Sequence, residues 1–281
     1  MNDAKQMIWH KAYERALKTI TSLRNHCDFK YEKDSKNAKT VRVLNAVRPS
    51  VRTYVPGTAI TRDAVSSTKV DIDIDQFKYF NIGLDDVIKA QSVPGAMEAT
   101  AAEGALALAE EGDKYVASLV KAGVEASTPT IASVTRITAT KANAIEAVED
   151  AFAVLYGKNN RVSDTYWLEV APSYFKFIRP NILELLTNNV EMAKKGVVGR
   201  YANAMVTIEN LLPTGKVGSG STDDTVYNIL RTEHAIAFIE QIDKVEAYRP
   251  EDAFEDALKG LYTFGAKVVR PDEIVVIPTA I

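Results

Sequence analysis

Residues 69–75 read Lys-Val-Asp-Ile-Asp-Ile-Asp, with Val70, Ile72 and Ile74 set against Lys69, Asp71, Asp73 and Asp75. Only an extended strand, whose side chains point to alternate faces, separates those two sets. One face is then apolar and half-buried, as in an antiparallel pair. Upstream, residues 40–56 carry Val41, Val43, Val47, Val51 and Val55 interleaved with Arg42, Arg48 and Arg52. Pro49 interrupts this run, and Pro56-Gly57 ends it with a turn signal. The two runs, joined by about a dozen turn-forming residues, predict a long two-stranded excursion. An isolated hairpin is marginal in water, so this one needs a surface outside itself to lie on. That requirement points towards a partner subunit.

From Pro94 the pattern changes to helix. Met97, Ala101, Ala105, Leu108, Gly112, Tyr115 and Leu119 recur at spacings of three and four across residues 95–122. A helix of that span is roughly 40 Å long, more than an average globular helix. Gly104 and Gly112 each cost about 1 kcal/mol relative to alanine, which predicts close packing there, and Gly123 is placed as its stop.

The rest of the chain reads as short elements. Residues 3–25 are an amphipathic helix with Asp3 as N-cap, and 31–39 a polar loop. Residues 124–139 are irregular, and a helix follows from Lys141 to Tyr156. Then come a strand at 166–170, helical segments at 172–178 and 181–190, and strands at 197–202 and 204–208. Residues 214–224 are loop-like, 226–230 a strand, and 236–242 ambiguous between helix and strand. Residues 251–264 read as helix, and strands close the chain at 267–270 and 274–278. The class is α+β, with mixed short strands and one dominant helix.

Charge is unevenly placed. The whole chain has 34 Lys and Arg against 37 Asp and Glu, but residues 1–52 carry 12 against 5. A basic segment on an acidic body is compatible with nucleic acid, with the acidic body of a neighbouring copy, or with a solvated helix face. Cys27 is the sole cysteine, which excludes an intrachain disulfide framework and suits a reducing cytoplasm. The start has scattered charges and no apolar core, so it does not read as a signal peptide. No apolar run approaches the roughly 20 residues of a membrane span. These features read as a soluble, intracellular protein.

The search for catalytic chemistry is mostly negative. His10, His26 and His234 are the only histidines. His26 and Cys27 are adjacent in sequence, unlike a catalytic dyad, and read as a surface pair beside a loop. Asp71, Asp73 and Asp75 stand about 7 Å apart along a strand, too wide for one cation without other ligands. Gly215 to Thr222 lacks the spacing of a phosphate loop, since Val217 follows Lys216. Glu146 and Glu149 read as a solvated helix face. No catalytic residue, cofactor or metal site is therefore assigned. Four Arg-Pro units, at Arg48, Arg179, Arg249 and Arg270, offer arginine forks on rigid turns suited to carboxylate partners, or are ordinary turn chemistry.

Several ordered segments resemble the major capsid proteins of tailed bacteriophages, the Hong Kong 97 fold. They are residues 47–92 (VRPSVRTYVPGTAITRDAVSSTKVDIDIDQFKYFNIGLDDVIKAQS), 101–119 (AAEGALALAEEGDKYVASL), 196–210 (GVVGRYANAMVTIEN) and 235–277, which opens AIAFIEQIDKVEAYRPEDAFED. The resemblance implies an N-terminal arm at 1–40 and an extended E-loop hairpin at 41–92 lying over a neighbouring subunit. It implies a peripheral domain with a long spine helix at 93–139, an axial domain at 140–262, and return strands to the peripheral domain at 263–281.

By that resemblance the chain is a non-enzymatic shell subunit, forming pentamers and hexamers of an icosahedral head around double-stranded DNA. Its partners would be further copies of itself, scaffolding and portal proteins, and DNA held by sequence-independent phosphate contacts, with no membrane. It would be assembled in the host cytoplasm and reside in the virion. Arg48, Arg52, Tyr54, Lys69, Arg249 and Arg270 are the candidate subunit contacts. The chain begins almost directly with the arm helix, so a long scaffolding extension is not expected on it. Some relatives form Lys–Asn cross-links; Lys69 lies in the hairpin, but no partner residues can be placed, and a non-covalent shell is expected. The alternatives are an encapsulin-type nanocompartment shell with the same fold and, from another class, a soluble α+β enzyme.

Overall fold

The computed structural model describes residues 23–35, 38–46, 50–54, 56–57, 59, 62, 67–85, 96–158, 160, 164–184, 197–215, 225–252 and 254–280. In chain order these form β1 (Thr40–Ala46), β2 (Ser67–Asp73), β3 (Gln76–Asp85), α1 (Ala96–Glu125), β4 (Ala132–Ser133) and α2 (Ala144–Gly157). They continue with β5 (Tyr166–Val170), α3 (Pro172–Ile178), β6 (Leu183–Glu184), β7 (Val197–Tyr201), β8 (Ala204–Ile208) and β9 (Thr214–Gly215). The last four are β10 (Thr225–Thr232), β11 (Ile236–Tyr248), β12 (Glu255–Val268) and β13 (Ile274–Ala280). The predicted helix at 3–25 lies outside the described residues except for its end, where Arg24–His26 form a 3-10 turn.

The larger sheet runs β4-β13-β10-β5-β8-β7-β6, with β9 on the far end of β10. Its central strands are covered on both faces, which is why they read as continuous apolar runs rather than alternating ones. On one side Leu230, Val275 and Ile277 join Leu168 and Val206 beneath α2 and α3, whose Val148, Phe152, Leu155 and Tyr174 fill that core. On the other side Ile229, Ile274 and Val276 face α1. β5 and β8 are parallel, and the connection between them carries α3 across the sheet.

A second sheet, β11-β12-β3, is antiparallel throughout. Its inner face presents Phe238, Leu258, Tyr262 and Phe264 to Leu108, Ala109 and Val116 of α1. Helix α1 has 30 residues, about 45 Å at 1.5 Å per residue. It passes the expected stop at Gly123, whose carbonyl accepts the N–H groups of Thr130 and Ile131 as the chain folds back. A Cβ at Gly123 would run into the Ile131 side chain. Gly104 fulfils the close-packing expectation, because a Cβ there would meet the Phe80 ring at 3.2 Å.

β1 and β2 form the two-stranded sheet expected from their alternation, paired from Thr40↔Asp73 to Ala46↔Ser67. Val41, Val43, Ile72 and Ile74 are buried against Ala237, Ile239 and Val269. The base of the hairpin therefore lies on this chain's own β11; β1 covers Thr40–Ala46, and residues 47–49 lie outside the described residues. Residues 76–85 of the expected loop form β3, paired with β12.

The largest correction concerns residues 251–264. They were expected as helix because alanine, leucine, lysine and the carboxylates favour it locally. From Glu255 onward they form β12, hydrogen-bonded on both sides, to β11 and β3. Leu258, Gly260, Tyr262, Phe264 and Ala266 take the inner face at a period of two, and burial on both flanks overrides propensity. The two glycines fit the strand: a Cβ at Gly260 would strike Phe80, and one at Gly265 would strike the Asp73 carbonyl of β2. The ambiguous 236–242 belongs to the 13-residue β11. The helix expected at 181–190 is replaced at its start by a 3-10 turn and β6, and residues 185–190 lie outside the described residues.

Candidate assembly surfaces

Residues 23–28 enter the core as a strap between the two sheets. The side chain of Arg231 on β10 is fully buried and meets the strap and β5 at once. Its Nε donates to both Glu169 carboxylate oxygens at 3.2 and 3.1 Å, and its Nη2 to Glu169 Oε1 at 2.7 Å. Nη2 also donates to the Leu23 carbonyl at 2.7 Å, and Nη1 to the His26 carbonyl at 3.0 Å. His26 Nδ1 lies 2.9 Å from Glu169 Oε1, while its ring stacks on Trp167 at 3.8 Å.

The second anchor is Arg24. Its backbone N–H donates to Asp113 of α1 at 2.9 Å, and its Nη1 contacts Glu240 at 2.6 Å and the Tyr262 hydroxyl at 2.5 Å. Asp28 adds a main-chain bridge, donating to the Ile236 carbonyl and accepting from the Phe238 N–H. Arg231 and Arg24 each meet a carboxylate of the same chain, Glu169 and Glu240.

The electrostatics follow from that enclosure. Burial alone pushes the Glu169 carboxyl up, but the Arg231 charge and the His26 hydrogen bond overcome it and hold it below the usual carboxylate range. Burial lowers the Arg231 guanidinium, and Glu169 raises it further than burial lowers it. The Cys27 thiol is pushed up to about 11 by burial. The expected surface pair His26-Cys27 is thus corrected: both are wholly buried, because the strap is drawn inward by Arg231. A histidine and a carboxylate do meet here, but both are wholly buried, with the Trp167 ring stacked on the imidazole. Among the described residues no group of three or more metal-ligating side chains converges.

The outer surface is different in kind. Of the eight large apolar side chains left exposed among the described residues, seven lie in two places. Leu44 lies on β1, and Val51 and Tyr54 in the excursion that follows it, with Val51 92% and Tyr54 63% exposed. Phe77, Tyr79, Leu261 and Phe254 belong to the outer face and end of the β11-β12-β3 sheet, Tyr79 being 77% exposed. Tyr79 stands directly opposite Leu261 in the register. Beside them Lys244 and Lys259 both pair with Glu246, Lys259 lies over the Tyr248 ring, and Tyr248 is hydrogen-bonded to Asn81. Scattered apolar residues are ordinary, whereas clustered ones beside a polar rim mark a contact surface.

The structure disperses the six candidate contact residues. Arg48 lies outside the described residues. Arg52 and Tyr54 are exposed in the excursion, and Lys69 is exposed on β2 opposite Leu44. Arg249 sits at the base of the β11–β12 turn, 3.5 Å from Asp256. Arg270, partly exposed, donates to Glu273 at 2.9 Å. Phe77 and Tyr79 went unsingled in the sequence, although Phe77, Tyr79 and Asn81 alternate with Lys78, Phe80 and Ile82. That alternation was the available signal. It does not say which face is covered, because both carry aromatics.

No family model and no curated protein matches this chain. Solved structures do. A chain from Mycobacterium phage Che8 superposes with a TM-score of 0.72 and 25% identity, covering 92% of this chain and 90% of that one. The capsid structure of the cyanophage P-SCSP1u matches with a TM-score of 0.62 and 19% identity over 87% of this chain and 84% of that one. A virus-like particle from Pyrococcus furiosus matches with a TM-score of 0.58 and 15% identity over 97% and 99%.

Proposed function

From the fold this chain has in common with phage capsid proteins, the Hong Kong 97 type that its sequence resembles, we propose that it is the major capsid protein of a tailed bacteriophage. The observation that carries this is the extent of the likeness, over nine-tenths of both chains with the Che8 structure. In this reading copies assemble through pentamers and hexamers into an icosahedral head around double-stranded DNA. The work of the chain is association rather than catalysis: each contact buries apolar area at roughly 25 cal/mol per Å², and many weak contacts sum by avidity.

Residues 1–40 serve as the arm, 41–92 as the E-loop over a neighbour, 93–139 as the peripheral domain with α1 as spine helix, 140–262 as the axial domain and 263–281 as the return strands. We depart from those bounds in one respect: β3, β11 and β12 pack on α1, which supports counting these strands with the peripheral domain rather than with the E-loop and the axial domain. Arg48, Arg52, Tyr54, Lys69, Arg249 and Arg270 are contact residues in this scheme, and scaffolding protein, portal and the DNA phosphates are further partners. Its place is the virion, after assembly in the host cytoplasm. No described helix is long and apolar enough to cross a membrane.

The likeness to the Pyrococcus particle favours a second reading, a shell around protein cargo. Purification of assembled particles followed by nuclease digestion separates the two. Protected DNA supports the phage head, and a co-purified enzyme without DNA supports the compartment.

A further inference from the structure

Strand β11 lies between the buried strap and the β1–β2 hairpin. On its inner side Glu240 contacts Arg24 Nη1 at 2.6 Å and accepts from the Tyr262 hydroxyl at 3.1 Å. The Arg24 guanidinium also lies 5.8 Å from the centre of the Phe238 ring. On the other side Ala237 and Ile239 are covered by Val41, Val43, Ile72 and Ile74 of the hairpin. The main chain takes part in both contacts. Asp28 of the strap bonds to Ile236 and Phe238. Gly265, which pairs with Ile239, runs so close to β2 that a Cβ would strike the Asp73 carbonyl.

One irregularity holds this arrangement. The β11–β12 register shifts between Glu240 and Ile242, which makes Gln241 the extra residue of a β-bulge. A bulge exchanges the faces of the residues beyond it. Phe238 and Glu240, at even positions, face inward before it. After it Val245, at an odd position, is in the core, and the Lys244 side chain is 67% exposed. The Gln241 side-chain amide donates to the Ala38 carbonyl at 3.2 Å, and the next carbonyl, that of Lys39, accepts from the Ile74 N–H at 2.9 Å. Two successive residues of one strand thus hold different things: Glu240 the strap, Gln241 the root of the hairpin.

We propose that the Gln241 bulge couples the two, so that strap and hairpin open and close as one cooperative unit. Folded proteins open locally in such units, below the cost of global unfolding. Lifting the hairpin uncovers Ala237 and Ile239 and withdraws the Ala38 carbonyl from Gln241. That leaves the bulge held from one side only, beside the carboxylate that pairs with Arg24. By linkage the effect is reciprocal: a loosened strap frees the hairpin by the same factor. This coupling belongs to a single copy and does not depend on the shell reading.

Hydrogen exchange of the full chain, at concentrations below assembly, tests it at two amides with defined acceptors. They are Asp28 in the strap, bonded to the Ile236 carbonyl, and Ile74 in the hairpin, bonded to that of Lys39. V43A removes buried apolar contact from the hairpin. R24M removes the pair with Glu240 and keeps the backbone N–H that Asp113 accepts. Each is expected to speed exchange at both amides by a common factor of at least about fivefold. Q241A, which removes the bond to Ala38, speeds both as well. V148A, in the α2 core across the larger sheet, lowers the Tm and changes either amide by less than about twofold. I72V gives the hairpin reading in milder form if V43A does not fold. The coupling is overturned if V43A or R24M speeds only the amide on its own side, or if Q241A leaves Asp28 unchanged. It is equally overturned if V148A speeds both amides as much as V43A does, since the opening would then be global.

Discussion

Replacing Glu169 by glutamine tests the buried strap directly. Arg231 has no route to solvent, and three of its hydrogen bonds run to the Glu169 carboxylate. The amide keeps the shape and one acceptor oxygen but removes the charge that balances the guanidinium. Breaking a fully buried pair from one side costs about 3–5 kcal/mol, and the retained acceptor places this variant near about 3 kcal/mol. With a slope of about 3 kcal/mol per molar urea, the unfolding midpoint of the unassembled subunit falls by about 1 M. The double variant E169L/R231M, which removes both charges, is expected to lose less than E169Q alone.

Acid adds a second readout. Because the folded-state value of Glu169 lies below its unfolded value, its contribution is complete above the unfolded value near about 4.3 and is lost as pH falls through the folded one. E169Q lacks that part of the acid limb. A loss under about 1 kcal/mol, with an acid limb identical to wild type, would refute the claim that this pair fastens the strap.

Three further outcomes follow from other parts of the molecule. G265A places a Cβ on the Asp73 carbonyl, and overpacking against backbone costs about 1–3 kcal/mol, seen as a lower Tm in a thermal melt; G157A, which meets nothing within 4 Å, leaves the Tm unchanged or higher. F77S with Y79S leaves the Tm of the free subunit unchanged, since both side chains are exposed, but lowers the assembled fraction in size-exclusion chromatography; unchanged assembly removes that face from the interface. Cys27, buried and raised to about 11, gives no reaction with a thiol reagent at pH 8 in the native subunit and full reaction in 8 M urea (about the usual denaturing level); rapid native labelling would mean the strap lifts off.

How much was legible in the sequence depended on whether one periodicity was in force. The KVDIDID alternation names its own buried face, and Ile72 and Ile74 are inside as expected. α1 was equally plain, because three-and-four spacing over about eight turns has no strand equivalent. β12 was not, since Ala257, Leu258, Leu261 and Tyr262 satisfy helical spacing while Leu258, Gly260, Tyr262 and Phe264 satisfy the strand, and only pairing with β11 and β3 decides. The strap was hidden for a different reason. Arg24, His26, Glu169 and Arg231 are separated by up to 207 positions, and polar residue types predict solvent unless their partners are known. The exposed Phe254 stood in a stretch misassigned to helix, so its protrusion was invisible until the turn was seen.

The central claim is that this chain builds a shell. Electron microscopy of the purified protein, expressed alone and together with the scaffolding protein proposed for it, tests it most directly. Closed particles, tubes or capsomer rings in either preparation are the predicted result. A protein that stays monomeric in both, at concentrations where its fold is intact by circular dichroism, would contradict the account.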